Sequence, residues 1–316
     1  MKKRKGIFLA VVLFAVFLVA GVYAFFVMMP LKGANKACDT SENGKSIAIN
    51  GHIMWYDVKN ETGTGDPIYV IPGGPGFSTS YLQPYLQFIE KGDHPVIYYD
   101  GRCGGKSEYT SDLSDCTYEN YAKDIEVLRN RITPNKKIIL LAHSSGGATA
   151  LSYLSTYEEN LSGIILVSSV GSKTRVFFTD AYLHTGLPPL DQTLSNMWFS
   201  NNVRAVYGSF VSNKKVAKVM DGCTVNYALM MKNEGRDKYD YTTDIKKSDV
   251  PTLILYGKTC DTPITDKSIA EELHSQLKNS TIYGIKKSGH FCFAERPEEF
   301  QERIEEFLAQ KVDKEK

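Results

Sequence analysis

The sequence carries no excess of charge of either sign. Its 37 Lys+Arg and 36 Asp+Glu leave a formal net charge of +1 over 316 residues. Such a balance gives no basis for nucleic-acid binding. Cys-x-x-Cys and clustered histidines are missing, so no metal site of ordinary ligand spacing is expected and no cofactor is implied. Internal repeats and low-complexity tracts are missing too, which removes repeat arrays from consideration.

Charge is also missing from one stretch, and there its absence is informative. Lys2-Lys3-Arg4-Lys5 precedes a run over 6–29 with no charged residue. At about 1.5 Å per helical residue this run spans the ~30 Å hydrocarbon core of a bilayer. The expectation is a single transmembrane anchor over 6–29. The basic tail 1–5 would lie in the cytoplasm and the rest of the chain outside, at the cell membrane. The alternative is a signal peptide cut after Val22-Tyr23-Ala24, giving a secreted protein. Phe25-Phe26-Val27-Met28-Met29 stays apolar beyond that point and favours the anchor.

Residues 30–44 are polar and read as a linker. Beyond them, Ser46–Ile49 and His52–Val58 flank Asn50-Gly51, a strong hairpin turn. Apolar runs at 67–71, 95–99, 137–141, 161–168, 251–256 and 281–285 read as buried strands. Between them lie helical patterns near 81–91, over Tyr118–Ile132, from Ser145 to about Tyr157, and over Pro297–Gln310. Alternating strands and helices predict a mostly parallel sheet with crossovers. The alternation breaks over 172–248, which is rich in Phe, Tyr, Met and Asn and reads as an inserted cap. The core is then expected over 45–171 and 249–316.

The chemistry centres on Ala142-His143-Ser144-Ser145-Gly146-Gly147, directly behind an apolar strand. Small-x-Ser-x-Gly at a strand end is the signature of a nucleophile elbow, a tight turn that thrusts the serine hydroxyl out of the sheet. Ala142 and Gly146 are small, as close passage of strand and helix requires. The candidate nucleophile is Ser144. Asp261 and His290 each follow a later strand, so all three lie at the carboxyl edge of the sheet, where reacting groups gather. Their order Ser, Asp, His is that of α/β-hydrolases. Asp266, five residues on, is the competing acid. Of the other histidines, His143 is expected to point away from the nucleophile. His52 and His94 are expected at surface or edge positions, His184 in the cap, and His274 on an amphipathic helix. Pro72-Gly73-Gly74-Pro75-Gly76 follows the third strand. Its glycines allow amides to approach a developing negative charge, and its prolines have no N–H to offer. The amides of Gly74 and Ser145 are the expected oxyanion donors.

Six cysteines stand at 38, 103, 116, 223, 260 and 292, and their connectivity does not follow from sequence. Cys103 with Cys116 and Cys260 with Cys292 are candidate disulfides, with unpaired thiols as the alternative.

Together these motifs resemble the α/β-hydrolase fold, and within it the proline iminopeptidase branch of serine peptidases. The resemblance rests on Pro72-Gly73-Gly74-Pro75-Gly76, on Asp100-Gly101-Arg102-Cys103-Gly104-Gly105-Lys106-Ser107, and on Gly289-His290 followed by Glu295 and Pro297. It covers about residues 45–312. That branch carries His where Pro72 stands. The resemblance implies a mostly parallel eight-stranded sheet with helices on both faces and a helical cap. It implies an aminopeptidase that releases an N-terminal residue, proline above all, from small peptides. In that branch cap carboxylates bind the substrate's free amine, which points to Glu234, with Gly73 as a further substrate contact. A carboxylic ester hydrolase with the same triad is the alternative, and a catalytically silent binding protein a remote one. Whatever the substrate, Ser144→Ala is expected to abolish turnover while the domain stays folded, as read by an activity assay beside circular dichroism.

Overall fold

The computed structural model describes residues 11–21, 35–41, 43–174, 200, 218–226, 228–230, 238–260 and 265–312. Eight strands form one sheet: β1 Lys45–Ile49, β2 His52–Lys59, β3 Ile68–Ile71, β4 Val96–Tyr99, β5 Ile138–His143, β6 Leu161–Val167, β7 Thr252–Gly257 and β8 Ser280–Ile285. Their spatial order is β1-β2-β4-β3-β5-β6-β7-β8. The β1–β2 and β2–β4 pairs are antiparallel, and every pair from β4–β3 onward is parallel. The hairpin turn falls at Asn50-Gly51, both at positive φ, as a two-residue turn of primed type requires.

Helices α1 Gln83–Glu90, α2 Tyr118–Ile132, α3 Gly146–Tyr157, α4 Thr242–Ile245, α5 Lys267–Gln276, α6 Cys292–Glu295 and α7 Pro297–Phe307 accompany the sheet, with short helical turns at Thr79–Tyr81, Glu158–Asn160 and Leu308–Val312. Because strand side chains alternate in direction, the central strands feed two separate cores. Ile68, Val70, Ile139, Leu141, Ile165 and Leu253 face Leu86 and Ile89 of α1 and Phe300 and Ile304 of α7. Tyr69, Ile71, Leu140, Ala142, Ile164 and Ile254 face α2, α3 and α5 through Ile125, Leu151 and Leu273. Burial on both faces is why β3 to β7 read as unbroken apolar runs.

Residues 172–174 and 239–241 run side by side. Lys173 bridges Asp240, and Tyr241 N–H donates to the Ser172 carbonyl at 2.8 Å. The chain therefore leaves the core and returns to it at one place. Tyr241 and Ile245, within the stretch assigned to the cap, pack in the core that holds α3 and α5. A second described stretch of the cap, Thr224–Asn226, lies along Gly76–Ser78: Ser78 N–H donates to Thr224 O at 2.8 Å and Asn226 N–H to Gly76 O at 2.9 Å.

The expected span is described only in part, and the expected disulfides are corrected. Residues 11–21 are helical and exposed, and no helix among the described residues is long and apolar enough to cross a membrane. The rest of the expected span, 6–10 and 22–29, lies outside the described residues. All six cysteines are free thiols. Cys103 and Cys116 do meet, as a hydrogen-bonded pair. Cys260 and Cys292 instead turn to separate hydroxyls, those of Thr265 at 3.7 Å and Ser168 at 3.9 Å.

A buried ion cluster pins the loop after β4. Arg102 donates through Nε and Nη2 to both oxygens of Asp124, at 2.7 and 2.6 Å, and through Nη1 to Asp115 at 2.7 Å. Asp124 is 1% exposed, so removing the guanidinium strands a buried carboxylate. Arg102→Met is expected to lower the unfolding free energy by about 3–5 kcal/mol, with much of that recovered in Arg102→Met/Asp124→Leu. Urea denaturation of the two variants checks both.

Candidate active site

Ser144 sits between β5 and α3 with φ +55, a left-handed conformation that costs a non-glycine residue about 1–3 kcal/mol. Three backbone hydrogen bonds hold it there. Its N–H donates to Val167 O at 3.0 Å, and its carbonyl accepts from Gly147 and Val170 at 3.0 and 3.1 Å. The small residues around it are sterically required. A Cβ on Gly146 would lie 2.6 Å from Pro72 O, and one on Gly147 would lie 1.8 Å from Ser169 Oγ. On the other side, a Cβ on Gly73 would come within 2.9 Å of Ser144 Cβ. The glycine loop therefore lies directly against the candidate nucleophile.

The amides of that loop are not equivalent. Gly73 N–H donates to Tyr81 Oη at 2.8 Å, so it is not free for substrate. Among the described residues nothing accepts from the amides of Gly74 or Ser145, the two expected oxyanion donors. The loop is braced from behind. Gly105 N–H and Asn226 N–H both donate to Gly76 O, at 3.0 and 2.9 Å. Buried Asp100 accepts from Thr79 N–H at 2.7 Å, Thr79 Oγ at 3.0 Å and Lys106 N–H at 2.8 Å. Burial nevertheless lifts its carboxyl to about 6, against those three donors. A cavity of about 30 Å³ bordered by Pro72, Gly76, Arg102, Tyr121 and Ser145 lies behind the loop. It is far smaller than the several hundred Å³ of an ordinary ligand pocket.

His290 follows β8 on a loop tied down twice. Glu295 accepts from Gly289 N–H at 2.7 Å, which gives the spacing between Gly289-His290 and Glu295 a physical purpose. Ser288 O accepts from both the N–H and the hydroxyl of Thr259. A Cβ on Gly257 would strike Gly289 O at 2.1 Å, so the loops after β7 and β8 pass in close contact. Thr265 Oγ lies 3.1 Å from His290 Nδ1, the nitrogen a triad acid would address. Sequence reasoning missed Thr265, and no local pattern marks it.

Asp261 lies outside the described residues, as do Glu234 and His184. Its competitor Asp266 is engaged elsewhere. It caps α5, accepting from Ile269 N–H at 3.2 Å and Ser268 Oγ at 2.6 Å. An acidic residue directly before an amphipathic helix is a cap signal that the sequence already carried. His52 and His94, expected at the surface or an edge, are buried. His52 Nε2 meets Asp115 at 2.8 Å, and His94 Nδ1 meets Asp66 O at 2.7 Å. His274 bonds Ser280.

His143 lies beside His290. It is buried, and its ring centroid lies 4.7 Å from that of His290. Its Nδ1 meets Tyr81 Oη at 2.7 Å and its Nε2 meets His290 O at 3.3 Å.

A family model described as alpha/beta hydrolase fold matches residues 66–297. The chain belongs to that family. A proline iminopeptidase of Saccharolobus solfataricus is 26% identical over 290 residues, covering 83% of this chain and 91% of its own. One of Lactobacillus helveticus is 26% identical over 285 residues, with coverages of 82% and 95%. A solved proline iminopeptidase-related protein from Thermus thermophilus superposes with a TM-score of 0.65 at 22% identity, covering 89% of this chain and 99% of its own. Within its family the chain is thus proline iminopeptidase-like over most of its length.

Burial governs how both site imidazoles titrate. It holds His290 well below its ordinary value of 6.5, with His143 adding to the effect, and brings His143 to about 4. A histidine depressed in the folded state costs nothing above pH 6.5. Below that the unfolded chain takes up a proton that the fold refuses, and stability falls until pH 4. For His143 this amounts to about 3 kcal/mol. Asp100, raised in the fold, works in the opposite direction over the same range, so the wild-type slope alone is a mixture. The stability lost between pH 7 and pH 4 is therefore expected to be smaller in His143→Gln than in wild type by up to about 3 kcal/mol, measured by urea denaturation at each pH.

Proposed function

We propose that the protein is a serine hydrolase acting by acyl transfer, and that it is an aminopeptidase releasing an N-terminal residue, proline above all, from peptides. The observation that carries this reading is the left-handed Ser144 pressed against the glycine loop, with the amides of Gly74 and Ser145 unclaimed by any described residue. The similarity to proline iminopeptidases over more than four-fifths of the chain supports the substrate class.

In the proposed reaction His290 takes the Ser144 proton as the hydroxyl attacks the scissile carbonyl. Asp261 holds the imidazole tautomer and stabilises the imidazolium. The Gly74 and Ser145 amides receive the oxyanion, an effect worth about 3–4 kcal/mol per donor in well-studied cases. His290 returns the proton to the leaving amine, and water attacks the acyl-enzyme by the same route. Burial keeps His290 neutral, which is the form a general base needs. Glu234 is the proposed ligand of the substrate's free amine, since a carboxylate facing an ammonium selects strongly for it. The uncharged run at 6–29 is the proposed single-pass anchor, holding the catalytic domain outside the cytoplasm.

A carboxylic ester hydrolase is the second reading, favoured by Pro72 standing where the iminopeptidase branch has histidine. Full-length protein in detergent separates the two when assayed on a proline arylamide, its N-acetylated form and a short acyl ester. The aminopeptidase reading expects cleavage of the free-amine arylamide with at least about a hundredfold loss on acetylation, which buries an ion pair's partner without its charge. Cleavage of the ester alone moves the protein to the second reading.

A further inference from the structure

Three loops must keep a fixed relation for acyl transfer: the glycine loop with its oxyanion amides, the elbow with the nucleophile, and the loop carrying the base. They come from β3 and β5, which pair, and from β8, which lies three places beyond β5 in the sheet. One hydrogen-bonded chain of side chains joins all three. Gly73 N–H in the first loop donates to Tyr81 Oη at 2.8 Å. Tyr81 Oη lies 2.7 Å from His143 Nδ1 in the elbow. His143 Nε2 lies 3.3 Å from the carbonyl of His290.

The proton positions follow from the partners. Gly73 N–H can only donate, so Tyr81 oxygen accepts it and the single phenolic proton is left for His143 Nδ1. Nδ1 is then an acceptor, and the ring proton sits on Nε2, aimed at a carbonyl that can only accept. Each of the three bonds then has a single possible direction. Tyr81 is 1% and His143 2% exposed, so no solvent competes for these bonds. The rings are walled by aromatics: Tyr81 by Phe77 and Phe293, and His143 by Phe291 and Phe293.

We propose that Tyr81 and His143 are positioning residues, a buried relay that fixes the oxyanion loop relative to the loop bearing the catalytic base. The inference rests on the serine-hydrolase reading above. His143 packs beside the His290 ring, centroids 4.7 Å apart, and the two ends of the relay are bonds to backbone, the Gly73 N–H and the His290 carbonyl. The relay acts by holding Gly73, and with it the adjoining Gly74 amide, at one distance from His290. A displacement of about 1 Å in such a constellation costs on the order of a hundredfold in rate.

The test has two arms on the full-length protein. The first reads the resting enzyme by imidazole ¹⁵N NMR and is independent of turnover. The relay predicts His143 neutral, with Nδ1 unprotonated and Nε2 protonated, in wild type. A proton on Nδ1 overturns it. The second arm measures kcat and KM on whichever of the three substrates wild type cleaves. Tyr81→Phe and His143→Phe are each expected to lower kcat about 10- to 100-fold with KM changed less than about threefold. The double variant is expected to be no worse than the poorer single, because either change breaks the same chain. His143→Gln, whose amide accepts from Tyr81 and donates to His290 O, is expected to return kcat to within a few-fold of wild type. A kcat unchanged in the single variants, a multiplicative loss in the double, or a Gln variant as poor as Phe would each overturn the relay. Wild type inert toward all three substrates would instead defeat the hydrolase reading, with the tautomer still read by the first arm.

Discussion

The left-handed turn at Ser144 is the constraint around which the rest of the molecule is arranged. A residue with a side chain is held at φ +55 only because strand and helix meet at full contact on either side. Gly146 and Gly147 remove the Cβ atoms that would collide with Pro72 O and Ser169 Oγ. The backbone of Val167 and Val170 then closes on the serine's own N–H and C=O. The same crowding draws the glycine loop to this serine, since Gly73 lies within van der Waals reach of Ser144 Cβ.

Much of the buried polar chemistry reads as support for that arrangement. Asp100 gathers Thr79 and Lys106, so the chain beyond the glycine loop and the chain beyond β4 share one carboxylate. Arg102 anchors the second of these to α2 through Asp124. Asn226 reaches from the inserted stretch to Cys103 O and Gly76 O. Glu295 and Thr259 do the equivalent for the loop bearing His290. Asp100, Arg102, Asn226 and Glu295 are buried with partners supplied, as the cost of an unpaired polar atom demands. Tyr81 and His143 extend the pattern from single loops to the relation between loops.

The sheet was legible because parallel strands covered on both faces leave an unbroken apolar signal, and β3 to β7 lie where those runs stand. The hairpin was legible from Asn50-Gly51 and the elbow from Gly146, both local steric statements. Misreadings arose where a residue's partner is remote in sequence. The expectation that His143 points away from the nucleophile names no partner for it, because its neighbours in sequence say nothing of Tyr81, 62 residues back, or His290, 147 residues on. Thr265 meets His290 across 25 residues. The pairing of Thr224–Asn226 with Gly76–Ser78 crosses more than a hundred residues and leaves no periodicity to detect. Cysteine spacing correctly brought Cys103 to Cys116, but proximity alone did not make a bond.

The central claim is that the strained serine is the activated nucleophile. The most direct measurement is mass spectrometry of the full-length protein after reaction with a fluorophosphonate, an electrophile that captures only serines activated by a neighbouring base. The account predicts one adduct per chain, on the peptide containing Ser144. An unmodified protein, or an adduct on Ser145 or any other serine, would contradict it.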